Sequence, residues 1–163
     1  MVAGAMLLGG CAVGTDTPRH AFDFDAQDDS PGVEVLNYQY GTSRLPGVRP
    51  SADALEHNDV PQQTDVYGAM RRGDFLYVKW RVQATGKLYE DRVDLRSRLP
   101  RNLDDYRIHF AIDGSQLYVY LISPEKVTGL CPDDPGLAYK RTPRQKRIFI
   151  MYCSRKIKQI YPD

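Results

Sequence analysis

Apolar and polar residues alternate with a period of two along much of the chain, in short segments separated by Gly, Pro, Asn and Asp. That period puts successive side chains on opposite faces of an extended backbone, so each segment reads as a strand with one buried face. Val33–Tyr40 alternates, is rich in β-branched and aromatic residues, and meets Gly41 at its end. Over 75–95, Leu76, Val78, Trp80 and Val82 share one face while Phe75, Tyr77, Lys79 and Arg81 share the other. Ala84, Thr85, Gly86 and Lys87 then make a turn, and 88–95 is the return strand. A second hairpin pairs 107–112 with 116–122 through Asp113 and Gly114, a dipeptide that tolerates the positive φ of a tight turn. Ile108, Phe110 and Ile112 are expected on its core face, with Arg107 and His109 outward. Residues 146–153 and 157–161 supply one or two closing strands. The stretch 42–63 carries Pro46, Gly47, Pro50 and Pro61, offers only a brief helix after Ser51, and is long enough to be a recognition surface.

Six to eight short strands with almost no helix predict a mainly β fold, a single small antiparallel β-sandwich or barrel, immunoglobulin-like in outline. Trp80 is its expected large core residue. At 163 residues the chain has room for one core and hardly for two. The expected division is a leader over 1–10, a flexible tether over 11–32 and the β domain over 33–163. The tether reading rests on Asp16, Asp23, Asp25, Asp28 and Asp29 among Gly, Thr and Pro, with Phe22 and Phe24 as the large apolar exceptions.

Leu8-Gly9-Gly10-Cys11 closes an apolar run and resembles the lipobox of bacterial lipoproteins. Two small residues leave the bond before Cys11 open to a signal peptidase, and the Cys11 sulfur would then carry lipid, making a membrane the first expected partner. Residues 1–10 hold no Lys or Arg and are shorter than an ordinary leader, which points to a start further upstream. Ala12 after the cysteine resembles the sorting pattern for the outer membrane. In the oxidising periplasm Cys131 and Cys153 are expected to pair, closing a loop of about 20 residues and constraining the unfolded chain by about 3 kcal/mol.

A net charge of +1 gives no global field for nucleic acid. Charge is uneven, however: Lys140, Arg141, Arg144, Lys146, Arg147, Arg155, Lys156 and Lys158 form a run free of acids, suited to headgroup phosphates or an acidic partner, or to guarding a strand edge. His20, His57 and His109 show no metal-ligand spacing, and neither a metal nor another cofactor is expected. His57 sits with Glu56 and Asp59 in the long loop; Ser115 and Ser123 lack a nucleophile elbow; Glu90 and Asp91 point to opposite faces of a strand. A binding protein is therefore preferred to an enzyme. Its expected surface is built from Tyr38, Tyr40, Tyr77, Arg81, Tyr118 and Tyr120 with the 44–63 loop, because Tyr offers large contact area at low entropic cost; rim packing of the tyrosines is the alternative.

The segments Val33 to Gly41, Gly73 to Arg81, Tyr89 to Pro100, Arg107 to Phe110 and Gln116 to Leu121 together resemble a group of uncharacterised proteobacterial lipoproteins. Their order is also similar to lipoproteins found beside type VI secretion effectors, some of which act as immunity proteins. The resemblance implies a non-enzymatic module facing the periplasm, with a secreted toxin or an envelope component as its protein partner. It carries no catalytic residues. An envelope assembly or secretion accessory, and a periplasmic hydrolase with a dispersed site, are the other readings.

Overall fold

The computed structural model describes residues 17–163; the leader and Cys11 lie outside the described residues. Eight strands form two sheets: β1 (Arg19–Asp25), β2 (Val33–Tyr40), β3 (Gln63–Ala69), β4 (Phe75–Val82), β5 (Leu88–Asp94), β6 (Arg107–Asp113), β7 (Gln116–Lys126) and β8 (Arg155–Tyr161). A five-stranded sheet in the order β3-β1-β6-β7-β8 packs against a three-stranded sheet, β2-β4-β5. The result is a mainly β sandwich and not a closed barrel. Every pairing is antiparallel except that of β1 with β6.

Both hairpins form in the expected registers, and Gly114 takes a φ of 57° at the β6–β7 turn. Trp80 is buried between the sheets and its indole N–H donates to the Gly114 carbonyl at 2.9 Å. Ser51 caps a short helix, α2 (Ala52–Glu56), by accepting from the Ala54 N–H.

The expected tether is not one from residue 19 onward. Phe22 and Phe24 are two apart, so an extended backbone turns both to one face, and there they stack on Tyr40 at 5.2 Å and on Phe110 at 4.4 Å. Three of the acids that made this stretch look disordered have structural partners. Asp25 caps the one-turn helix α1 (Ala26–Asp29), accepting from the Gln27 and Asp28 N–H groups. Asp23 and Asp29 are buried and paired, as described below.

The 42–63 stretch is also less free than its composition implied. Its last residue opens β3, and Val48 and Val60 are buried in the core. Gln62 stands in for a missing strand beside β2: its Oε1 accepts from the Val35 N–H at 2.8 Å and its Nε2 donates to the Val35 carbonyl at 2.9 Å.

Residues 146–153, expected as a strand, are helical. A 3-10 turn (Arg144–Lys146) runs into α4 (Arg147–Met151). β8 already occupies the free edge of β7, so a strand here would find no partner on that edge, whereas a helical turn satisfies its own backbone and turns Ile148 inward. With α3 (Pro135–Arg141), capped by Asp134, this segment forms a cap over the outer face of the five-stranded sheet. Ile148 packs there with Ala111, Tyr120 and Ile122 in a second, smaller core. The Cys131–Cys153 disulfide, Cα atoms 4.9 Å apart, closes the cap. No helix among the described residues is long and apolar enough to cross a membrane.

Phe22 separates the two descriptions of the N-terminal stretch. Phe22→Ala is expected to lower the unfolding free energy by about 3–5 kcal/mol, the cost of emptying an aromatic site in a core; a tether residue would leave the urea midpoint unchanged. Replacing both Cys131 and Cys153 by Ser should remove about 3 kcal/mol in the same measurement.

Candidate functional site

The cluster of buried charge follows from strand alternation. β1 and β6 run parallel with Asp23 beside His109, and β1 pairs with β3 so that Asp23 faces Asp65. All three point away from the main core, as does Arg107, two residues before His109. α1 follows β1 directly and brings Asp29 to the other side of the imidazole.

His109 is 1% exposed. Its Nδ1 lies 3.2 Å from Asp23 Oδ1 and its Nε2 lies 3.4 Å from Asp29 Oδ2. Nδ1 donates its proton to the Asp23 carboxylate, and the second carboxylate beside the ring favours the imidazolium form. Burial disfavours that charge, but Asp23 and Asp29 together outweigh it and raise the His109 pKa to about 9. The two contacts differ in kind. Nδ1 makes a hydrogen bond, whereas Nε2 and Asp29 Oδ2 are within ion-pair range without hydrogen-bond alignment.

Burial pushes Asp23 upward, and the charges of His109 and Arg107 with the hydrogen bonds from His109 and Tyr152 bring it below the ordinary carboxylate value. Arg107 lies 3.0 Å from Asp23 and 2.7 Å from Asp65, and its guanidinium stands over the Tyr152 ring. Tyr152 donates its hydroxyl to Asp23 Oδ2 at 2.9 Å and Tyr139 donates to Asp29 Oδ1 at 2.9 Å. Burial and the neighbouring carboxylates push both phenols well above their ordinary range, so they remain donors. Arg147 covers the Tyr139 ring and donates to the Asp28 carbonyl at 2.9 Å. The network thus fastens the cap to β1, α1 and β6.

A groove of about 500 Å³ opens beside this latch, between Met151 and Tyr152 of the cap and Gln63, Thr64 and Asp65 at the β3 edge, with Asp23 and His109 in its wall. Below about pH 9 the His109 ring is already protonated, so it acts as a fixed cation and does not take up a proton. Among the described residues no group of three or more His, Cys, Asp or Glu side chains could hold a metal ion.

His20 is the opposite case. It too is buried, but its Nδ1–H donates to the Pro18 carbonyl and its Nε2 accepts from the Tyr40 hydroxyl, both at 2.9 Å. That hydroxyl in turn accepts from the Gly73 N–H at 3.0 Å. With neutral partners, desolvation prevails and lowers the His20 pKa. Gly73 has to be glycine: a Cβ there would sit 2.4 Å from the Tyr40 ring.

Three of the six expected binding residues are core residues. Tyr40 stacks on Phe22 and Tyr38 meets Phe24 edge-on, because a bulge between Val35 and Asn37 reverses the alternation of β2: Val33 and Val35 point inward before it, Tyr38 and Tyr40 after it. Tyr120 does point to the outer face, but the cap covers that face and places Phe149 edge-on to its ring at 5.8 Å. Tyr77 and Arg81 lie together on the open face of the three-stranded sheet, donating to Glu90 at 2.8 Å and to Glu34 at 2.9 Å. Tyr118 is half-buried on the other sheet. The six therefore form no common surface. His109, expected outward, faces outward from the sheet yet is buried by the cap. His57 is exposed at the end of α2, 3.3 Å from Asp53.

The fold and its cluster define a two-sheet sandwich whose outer face is closed by a disulfide-bounded helical cap latched by buried charge. Comparison with family models, with curated proteins and with solved structures finds no match.

Two titrations bound the latch. His109 rises on folding from an ordinary 6.5 to about 9, so its stabilisation is complete below about pH 6.5 and is lost as pH rises through about 9. Asp23 falls below its ordinary 3.8, so its stabilisation is present above that value and is lost on further acidification. The urea midpoint should accordingly decline between pH 6.5 and 9. His109→Gln should abolish that decline while costing about 3–5 kcal/mol, because it leaves the buried Asp29 without a cation beside it.

Proposed function

We propose that this chain is a lipid-anchored binding module of the bacterial envelope, facing the periplasm from the outer membrane and neutralising a secreted toxin by occupying one of its surfaces. The observation that carries a binding role is the concentration of exposed apolar side chains on the cap. Leu130 (67% exposed), Leu137 (42%), Phe149 (42%) and Met151 (44%) are four of the seven large apolar residues exposed among the described residues. Leu137, Phe149 and Met151 share one disulfide-closed segment with the exposed cations Lys140, Arg141, Arg144 and Lys146, and Leu130 directly precedes it. Protruding apolar side chains among cations suit a protein partner with an apolar centre and an acidic rim. A firm latch below them limits the entropy lost on docking. The lipobox at Cys11 and a disulfide both suit the periplasm. This surface replaces the one expected from the strand tyrosines and the 44–63 loop.

Cys11→Ser should end fatty-acid labelling and move the protein from membrane to soluble fractions. Leu137→Asp combined with Phe149→Asp should weaken capture of a toxin encoded beside this chain by about tenfold or more, since a few buried anchors dominate an interface. The unfolding free energy should fall by only about 0.5–1.5 kcal/mol, the cost of the lost Phe149–Tyr120 edge contact, so the variant stays folded. Unchanged capture by the double variant would overturn the assignment of the surface, and turnover of a lipid, peptide or glycan by the purified protein would overturn the binding role.

A further inference from the structure

We infer that the end of the sandwich carrying Arg44, Arg71, Arg72, Arg96 and Arg101 rests on the headgroups of an anionic phospholipid bilayer, so that the domain stands on this tip. The inference rests on the proposed lipid anchor at Cys11 and adds an orientation to it.

The first argument is where the chain leaves the domain. The Pro18 carbonyl accepts from the Met70 N–H at 3.3 Å and from the His20 ring at 2.9 Å, which fixes the exit beside the β3–β4 turn. Cys11 precedes Thr17 by six residues, and an extended chain spans at most ~3.5 Å per residue, so this tip would lie within ~20 Å of the lipid-bearing sulfur.

The second argument is what the tip carries. Three connections meet there: 41–51 after β2, 70–74 between β3 and β4, and 95–106 between β5 and β6. The Gly41 N–H donates to the Phe75 carbonyl at 2.8 Å, and the Arg72 guanidinium donates to the Arg96 and Leu99 carbonyls at 2.6 and 3.0 Å. These bonds make one rigid platform of the three connections. Arg44, Arg71 and Arg101 stand exposed on it and form no ion pair with any described residue. Arg72 spends its hydrogen bonds on neutral carbonyls. Of the acids at this end, Asp94 pairs with Arg96 at 2.5 Å, Asp104 accepts from the Arg19 N–H and Asp105 from the Tyr67 hydroxyl, while Asp74 sits among Arg71, Arg72 and Arg96.

The third argument is the opposite end. Asp28 and Asp59 stand exposed at its turns and would be repelled by anionic headgroups, while Glu34 is paired with Arg81. The cap cations lie toward that end, where Arg147 bonds to the Asp28 carbonyl, away from the chain exit. Net charge is only +1, so attraction is local to the unpaired cations of the tip and acts over distances shorter than a Debye length.

The experiment uses the full chain, expressed with its native lipid modification and inserted into vesicles of phosphatidylcholine alone or of phosphatidylcholine mixed with phosphatidylglycerol. Amide hydrogen exchange is read at 70–74 and 95–101, with 83–87 and 113–115 as the opposite end. Exchange at the Arg-bearing connections should slow by about threefold or more on the anionic vesicles only, and the effect should vanish in about 1 M salt, where the Debye length is ~3 Å. The combined Arg44→Gln, Arg71→Gln and Arg101→Gln variant should still float with the vesicles yet lose the protection. Equal exchange on neutral and anionic vesicles, or protection at the opposite end or on the cap, overturns the orientation and leaves the anchor standing. A parent chain that fails to float overturns the anchor and the orientation together.

Discussion

An imidazolium buried between two carboxylates is the constraint on which the outer half of this molecule depends. Removing a charge from water is costly, and His109 is tolerated at 1% exposure only because Asp23 and Asp29 flank it and Tyr139, Tyr152 and Arg107 occupy most of the remaining carboxylate positions. None of these groups can move alone. Displacing the cap would withdraw the two phenols and open His109 to water, so the cap and the sheet beneath it are coupled through polar contacts as well as through the small apolar cluster around Ile148. A latch of this kind contributes more to a unique arrangement than to net stability, since an apolar plug of equal volume could hold the same layers together.

The two buried histidines show how partners, and not burial, decide the ionisation of a ring. His20 meets a carbonyl and a phenol and is held neutral, tying the start of β1 to the end of β2 and the β3–β4 turn. His109 meets two carboxylates and is held charged. Both nitrogens are occupied in each case, but with opposite electrostatic consequences for the same side chain.

The sequence made the hairpins readable because Leu76, Val78 and Trp80, and again Ile108, Phe110 and Ile112, keep a strict period over a full strand. It concealed β1 because two phenylalanines among aspartates look like a solvated segment until partners are known for the acids, and those partners lie on β6 and in the cap, far along the chain. The face assignment of Tyr38 and Tyr40 failed at a bulge, which shifts alternation by one residue without any local signal. His109 was misplaced for a different reason: its direction from the sheet followed from alternation, but covering that face required helices at 135–151, where four consecutive apolar residues at 148–151 fit a strand equally well. The cysteine pair was legible, since setting Cys11 aside leaves Cys131 and Cys153 with only each other to pair with.

The placement of β1 also governs the order in which the molecule can assemble. This first strand lies between β3 and β6, and its parallel neighbour begins at Arg107, more than 80 residues later. Until that neighbour has been synthesised and docked, β1 and β3 can form at most a two-stranded ribbon, with one open row of backbone donors and acceptors beside Phe22 and Phe24. Long loop closure therefore precedes completion of the larger sheet, which places this fold among slowly forming topologies and leaves its nascent N-terminal half prone to pairing with other chains.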